Sequence, residues 1–287
     1  FNFSPDVRQV PLEITLHGFD NNHAPARLLS MSKHAYNACS KFAPEKPCIV
    51  FTPSRKQTQL SAIDFMTFSA TSAQPERFLP AQHQHQQALR EAAEKIQEAA
   101  LKQTLVKGVG YLHHEMAQGD RQLVERLYQQ GALSVLLCPF SFCWQLPGPC
   151  YASIVMDTVY YEGRELRFVD YSMADLLQMA GCACRPASDE RGRCIILCHT
   201  PKKEFLKRLL HGSVPVESHL DHALHDHLCA EVVTATIENK QDAVDYLTWT
   251  LYYRRLTQNP NYYALQGANH ALLSGHLSEL IETCISE

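Results

Sequence analysis

No stretch of this 287-residue chain approaches the ~20 consecutive apolar residues that a membrane span requires. Its start, Phe1-Asn2-Phe3-Ser4-Pro5, has no initiator Met, no basic segment and no apolar segment of a secretion signal; the expectation is a piece of a longer polypeptide. There are 11 cysteines but no Cys-x-x-Cys pair. An odd, scattered set in a chain this long points to a reducing compartment, cytosol or nucleus, with cysteine as a small hydrophobe. Positive charge is not in excess: the net charge of −4 gives no broad basic field, so any nucleic acid would be met in a local groove. No Gly-x-x-x-x-Gly-Lys-Ser/Thr string occurs, so no phosphate-cradling loop of that kind is present, and no Asp-Glu pair is placed to hold magnesium. The absence of Gly-x-Ser-x-Gly argues against hydrolase chemistry of the serine type.

What is there is a globular composition, 45% hydrophobic, in an alternating pattern of strands and helices. Residues 9–18 alternate apolar and polar from Leu12 on, as a half-buried strand does, and Pro5 and Pro11 suit an edge or linker. Residues 22–42 form an amphipathic helix carrying Leu28, Leu29, Met31 and Tyr36. Residues 47–52 are a buried strand, and Pro53-Ser54 opens the next helix. Ser54 is either a plain cap or, with the amides behind it, a phosphate contact. Residues 56–103 are expected to be helical and polar-rich, with His83 and His85 on a solvated face. A strand at 109–114, a helix at 120–130 closed by Gly131 and a buried strand at 133–138 follow. Residues 139–150, with three prolines, make a stiff loop on the edge of the sheet. Apolar residues Ala152–Met156 and a hairpin-like turn at Tyr160, Tyr161, Glu162 and Gly163 precede a short helix opening at Ser172, with Asp175 in its first turn. That helix ends in a Gly/Arg turn at the end of the sheet, a usual place for nucleotide phosphates. The last strand is 193–198 and a basic helix is 202–211. The expectation is an α/β fold with a mainly parallel sheet over 1–213. A small, mainly helical domain over 214–287 has helices at 218–237 and 241–256, the boundary lying near Gly212–Val214.

Two clusters have the composition of metal sites. Cys182, Cys184, Cys194 and Cys198 lack the paired turns of zinc ligands. Glu217, His219, Asp221, His222, His225 and His227 are better spaced, with His222 and His225 sharing a helix face. Neither provides matched ligand pairs, so no metal and no zinc is expected; pH-sensitive hydrogen bonding is the other use of the histidines.

The string Gln178-Met179-Ala180-Gly181-Cys182-Ala183-Cys184-Arg185-Pro186 resembles the sixth motif of superfamily-two helicases, Gln-Met-x-Gly-Arg-x-x-Arg-Pro. Residues 49–57 resemble the fourth motif, 108–113 with Arg121, Val124 and Glu125 the next, and 3–13 the entry into the second helicase domain. Residues 215–265, with Pro-Val-Glu-Ser-His-Leu-Asp-His and Asn-Pro-Asn-Tyr-Tyr, resemble the winged helix of the spliceosomal RNA helicases that carry two cassettes in tandem. The resemblance implies a RecA-like second helicase domain and a winged helix, part of a nuclear, ATP-dependent helicase that unwinds paired small nuclear RNAs. It implies ATP and magnesium only together with a first RecA-like domain that this sequence does not contain. It implies as partners other spliceosomal proteins, the first cassette of the same polypeptide and, as an open alternative, RNA. Gln145, Pro147, Gln178, Gly181 and Arg185 are the implied nucleotide-facing residues; Ser54, Arg55, His113 and Ser141 the implied RNA-facing ones.

The departures from the motifs point one way. Residues 138–147 stand where the family has Ala-Thr-x-Thr-Leu-Ala-Trp-Gly-Val-Asn. Trp144 is kept, but Gln145 replaces a glycine and Pro147 an asparagine, losing a close approach and a backbone donor. Cys182 replaces the first arginine of the sixth motif, and loss of such an arginine costs on the order of 10³-fold in rate. No catalytic residue is therefore assigned, Arg185 being a remnant. The expectation is a second, degenerate cassette acting as nucleotide-responsive regulator and docking surface. An active cassette of a related helicase and a pure interaction module are the alternatives.

Overall fold

In the computed structural model the described residues are 7–164, 166–211 and 216–286. The chain divides into two compact units, Phe1–Ser213 and Val214–Glu287. Three sequence features fall outside the described residues: Phe3–Asp6 of the entry motif, the expected boundary at Gly212–Val214, and Pro215.

The first unit is built on a six-stranded sheet in which every pairing is parallel, in the order β1-β8-β5-β2-β4-β3. Its strands are β1 (Leu12–Phe19), β2 (Cys48–Thr52), β3 (Val109–Tyr111), β4 (Val135–Pro139), β5 (Ala152–Met156) and β8 (Gly192–His199). β2, β4 and β5 are buried at every residue and read as mainly apolar runs, broken only by Thr52 and Ser153, because helices cover both faces of an inner parallel strand. β1 lies at the edge and is only partly covered, with Leu12, Ile14, Leu16 and Phe19 half-buried.

Flanking helices are α1 (Ala24–Phe42), α2 (Arg55–Thr71), α3 (His83–Lys95), α4 (Ala99–Leu105), α5 (Gln118–Gln129), α6 (Met173–Gly181) and α7 (Lys203–His211). A separate antiparallel pair, β6 (Val159–Glu162) and β7 (Arg167–Asp170), forms the expected hairpin. Ser54 accepts a hydrogen bond from the Gln57 amide and Ser172 from the Asp175 amide, capping α2 and α6. Gly131, at φ +74, ends α5 in the left-handed region. Gly192 opens β8 because nothing larger fits: a Cβ there would lie 2.0 Å from the Ala183 carbonyl oxygen.

Three expectations need correction here. The single helical stretch over 56–103 is three helices, because Ser72 caps the end of α2 and residues 72–82, containing Pro75 and Pro80, leave the helix. The 139–150 loop does not lie at the sheet's edge; it leaves the finishing end of β4, an inner strand, through a 3-10 turn at Phe140–Phe142. The Gly/Arg turn lies where strands begin rather than where they end. α6 runs back along the sheet after β5, and Cys182 accepts a hydrogen bond from the Cys150 amide just before β5.

The second unit contains α8 (Leu224–Val233), α9 (Lys240–Thr248), α10 (Leu251–Gln258) and α11 (His270–Ser286), with no strand among the described residues. Leu228, Leu247, Tyr252, Leu256, Leu273 and Leu277 fill its core. The helix expected over 218–237 is shorter, a 3-10 turn at Leu220–Ala223 and then α8. The helix expected over 241–256 is two, because Thr250 accepts from the Tyr253 amide and starts α10 afresh. No described helix is long and apolar enough to cross a membrane.

Candidate nucleotide and RNA surfaces

Where the strands begin, Pro147 and Arg185 line one cleft of about 390 Å³ together with Pro47, Tyr128, Gln129 and Pro149. Gln129 Nε2 donates to the Pro147 carbonyl at 3.1 Å, and the Tyr128 hydroxyl to that of Pro149 at 3.2 Å. Arg185 is not free in this cleft. Its guanidinium lies 3.1 Å from the carboxylate of Asp189, four residues on, and Asp189 is also 2.9 Å from Lys46 Nζ. Asp189 is almost wholly buried while Arg185 keeps a quarter of its side chain exposed, so the carboxylate is the fixed partner. The one adjacent Asp-Glu dipeptide, Asp189-Glu190, is thus committed on its first residue to two cations.

Cys182 faces away from this charge. Its sulfur sits 3.5 Å from that of Cys150 and 3.0 Å from the Met179 carbonyl. Burial pushes the Cys150 thiol well above its ordinary pKa, so it stays protonated beside Cys182. At Gly181 an added Cβ would meet nothing nearer than Arg8 Nη2 at 4.0 Å, so the surface there is open.

Gln145 and Gln178 stand apart from Arg185, in the joint between the 140–146 turn and α6. Gln178 Nε2 donates to the Cys143 carbonyl at 3.3 Å. Trp144 Nε1 donates to Asp175 at 2.8 Å, and burial together with Asp175 raises the Cys143 thiol to about 12. The Gln145 side-chain oxygen accepts from Arg121 at 3.4 Å, and the Arg121 guanidinium rests over the Phe142 ring at 4.9 Å. The five nucleotide-facing residues implied by the sequence therefore fall into two groups, Pro147 and Arg185 in the cleft, Gln145 and Gln178 at the joint, with Gly181 on the turn between.

The residues that the motif resemblance implies face RNA gather at the finishing ends of β2, β3 and β4. Ser54 and Arg55 follow β2, His113 follows β3 and Ser141 follows β4. Ser141 Oγ lies 3.1 Å from His114 Nε2, and the His114 ring packs on Phe142 at 4.4 Å. Arg55 pairs with Glu115. His113 is buried, stacked on Tyr111 and close to Gln59 and Glu98. Burial lowers its pKa, with Glu98 opposing, so the ring is biased to the neutral form. The Tyr111 hydroxyl and Gln59 Nε2 both donate to Glu98 Oε1 at 2.7 Å, and the buried Asp120 carboxylate accepts from the Gln97 and Glu98 amides. Sequence reasoning missed this polar layer, and missed Asp189, whose i+4 spacing from Arg185 was the available signal.

In the second unit, Glu217 is spent on structure. It accepts from Arg255 Nε at 3.0 Å and Nη2 at 2.7 Å, from Asn259 at 2.8 Å and from the Tyr263 hydroxyl at 3.0 Å. His219, Asp221 and His222 each bring one ligand atom within 4.8 Å of the others, the single such group among the described residues. His219 also meets the Tyr262 hydroxyl at 3.2 Å, while His225 faces Asp226 and Cys229. Among the cysteines, Cys194 and Cys198 are buried on β8 and form no metal-binding group with Cys182 and Cys184.

Known proteins match this arrangement along its whole length. A winged helix-turn-helix domain family matches residues 217–287. The human U5 small nuclear ribonucleoprotein 200 kDa helicase is 53% identical over 287 residues, covering 100% of this chain and 13% of its own length. The Arabidopsis thaliana DExH-box ATP-dependent RNA helicase DExH12 is 48% identical over 289 residues, again with 100% and 13% covered. The zebrafish activating signal cointegrator 1 complex subunit 3 is 40% identical over 287 residues, with 100% and 18% covered. The chain thus spans only 13% of the first relatives it matches. With a parallel six-stranded sheet followed by a helical unit that matches the winged helix-turn-helix family, the chain is homologous along its whole length to the U5 small nuclear ribonucleoprotein 200 kDa helicases.

Proposed function

We propose that this chain supplies the second RecA-like domain and winged helix of a degenerate cassette in a nuclear pre-mRNA-splicing RNA helicase. In this reading the cassette binds ATP with magnesium, hydrolyses it poorly, and serves as a nucleotide-responsive regulator and docking surface. The helicase names of the relatives support the coarse part of the reading. One observation carries the fine part. Of the two positively charged positions in the family's sixth motif, one is a thiol packed on Cys150, and the other, Arg185, is neutralised by buried Asp189. Stabilising charge on a transferring phosphoryl group needs an unspent cation reaching across the cleft.

The residues present fit half of an ATP site. Pro147 and Arg185 offer a shaped cleft with one tethered guanidinium, while the phosphate loop and magnesium carboxylates must come from a first RecA-like domain. Arg55 and Ser141, with His114 behind them, are the proposed RNA-facing groups; Ser54 and buried His113 act by holding α2 and the end of β3. The relatives' names are those of members of assemblies, which supports other spliceosomal proteins and the first cassette as partners.

The test is RNA-stimulated ATP turnover by the full cassette, with nucleotide binding measured alongside. The expected result is binding with little turnover. Cys182→Arg alone should raise turnover modestly, with Gln145→Gly and Pro147→Asn needed as well. Robust turnover by the wild type would show that Arg185 leaves Asp189 for the nucleotide, and would end the degenerate-cassette reading.

A further inference from the structure

Between the second half of α2 and α4 runs a groove of about 870 Å³ whose lining includes none of the residues assigned to nucleotide or RNA. Its floor is apolar: Met66, Ala70, Pro75, Ala99 and Val106. α2 explains why. One of its faces sends Ala62, Phe65 and Ser69 into the core. Its outer face nevertheless carries Leu60 and Ile63, 45% and 41% exposed, and continues through Thr67 to Ala70 at helical spacing. A helix serving a single core needs a single apolar stripe; this one carries a second, and the C-terminal end of it, Thr67 and Ala70, lines the groove beside Met66.

The only formal charges lining the groove are Lys102 and Lys107, and neither has an ion-pair partner among the described residues. Across Pro75, the neighbouring cleft shows the contrast, with Arg77 paired to Glu45 at 3.2 Å.

We propose that this groove is a docking site for a helix of a partner protein, anchored by apolar side chains and flanked by acidic residues. The lining comes from the last turns of α2, from α4 and from Pro75, Val106 and Lys107, with no strand of the sheet among them, so no sheet edge is available for a strand to pair with. Recognition must come from side chains entering the groove at i, i+3/i+4 and i+7 spacing. The volume lies within the usual range of ligand pockets. The unpaired lysines favour Asp or Glu at the flank and speed encounter with an acidic partner. No aromatic ring lines the groove to stack a base, which disfavours single-stranded RNA as the occupant. The site stands whether or not the nucleotide cleft is degenerate.

The experiment is selection of a displayed library of short helix-forming peptides on the full-length protein. Enriched peptides should carry two or three apolar residues at that spacing beside Asp or Glu. Ala70→Arg, which fills the floor from an exposed helical position, should weaken their binding at least ~tenfold. Lys102→Glu with Lys107→Glu should weaken it about three- to tenfold, with the loss shrinking in high salt. Thermal unfolding checks that both variants stay folded, and RNA-stimulated ATP turnover by the Ala70→Arg cassette should match the wild type. Absence of binders, binders lacking the pattern, or binders indifferent to Ala70→Arg would overturn the proposal. So would a single-stranded oligouridylate that binds the wild type and is lost in both variants, which would assign the groove to RNA.

Discussion

Glu217→Gln removes the charge at the centre of the best-connected polar cluster in the second unit. The Arg255 guanidinium, by donating two hydrogen bonds, holds the Glu217 carboxyl at about 2 against an ordinary 4.5, with Asn259 and Tyr263 adding to the effect. A shift of that size corresponds to at most about 3–4 kcal/mol of charge-dependent stability. The two side chains keep 11% and 12% of their surface in water, and screening brings the expectation to about 2 kcal/mol. Because the folded carboxyl is the more acidic, this stability is present in full above pH 4.5 and is lost as pH falls towards 2. The wild type should therefore exceed Glu217→Gln by about 2 kcal/mol at pH 7, and by less than about half of that at pH 3. In a small domain this is a Tm difference of about 10 °C at neutral pH. The assay is urea titration with hydrogen exchange read by mass spectrometry on peptides from α9 and α10, so that only this unit is followed. Equal stability at pH 7, or a gap that persists unchanged to pH 2, would refute the reasoning.

Other outcomes follow from single contacts. Gly192→Ala drives a Cβ to 2.0 Å from the Ala183 carbonyl oxygen and should cost about 3 kcal/mol or more in urea unfolding. Gly119→Ala, on the first turn of α5 with nothing within 4 Å, should be neutral or stabilise by up to ~1 kcal/mol. Arg27 donates to buried Asp157 at 3.1 and 3.3 Å; Arg27→Leu strands that carboxylate and should cost about 3–5 kcal/mol, part of it recovered by adding Asp157→Ala. Elemental analysis of the purified chain should find less than one equivalent of zinc, because Glu217 is held by Arg255 and the remaining His219, Asp221 and His222 fall short of a closed four-ligand set.

The sheet was legible because its inner strands leave little else for the chain to do. Cys48–Thr52, Val135–Pro139 and Ala152–Met156 are apolar but for Thr52 and Ser153, and each is bounded by a turn signal. Caps that act within a few residues, Ser54, Ser172 and Gly131, were legible for the same local reason. The helix breaks at 72–82 and at Thr250 were signalled by Pro75, Pro80 and a threonine, but a polar, helix-favouring composition on both sides masked them. The candidate site was less legible than the fold. Motif positions bring Arg185 to mind as a cation, yet its effective charge is decided by Asp189 and Lys46, and Lys46 comes from a distant segment. Likewise Gln145 could be placed on its loop, but not against Arg121, and His113 near the end of a strand, but not behind Glu98.

The sulfur pair at Cys150 and Cys182 bears on how freely this protein can regain what its family motif contains. Cys182 is packed against the first unit's core, with a second thiol 3.5 Å away and the backbones of the two residues hydrogen-bonded. An arginine at 182 would not inherit a vacant socket. It would have to turn its long side chain outward, past the Asp189 that already holds Arg185, or overpack the base of β5 at a cost of ~1–3 kcal/mol. In this sense position 182 is fitted to a small, neutral side chain, so placing a cation there demands several coordinated substitutions rather than one.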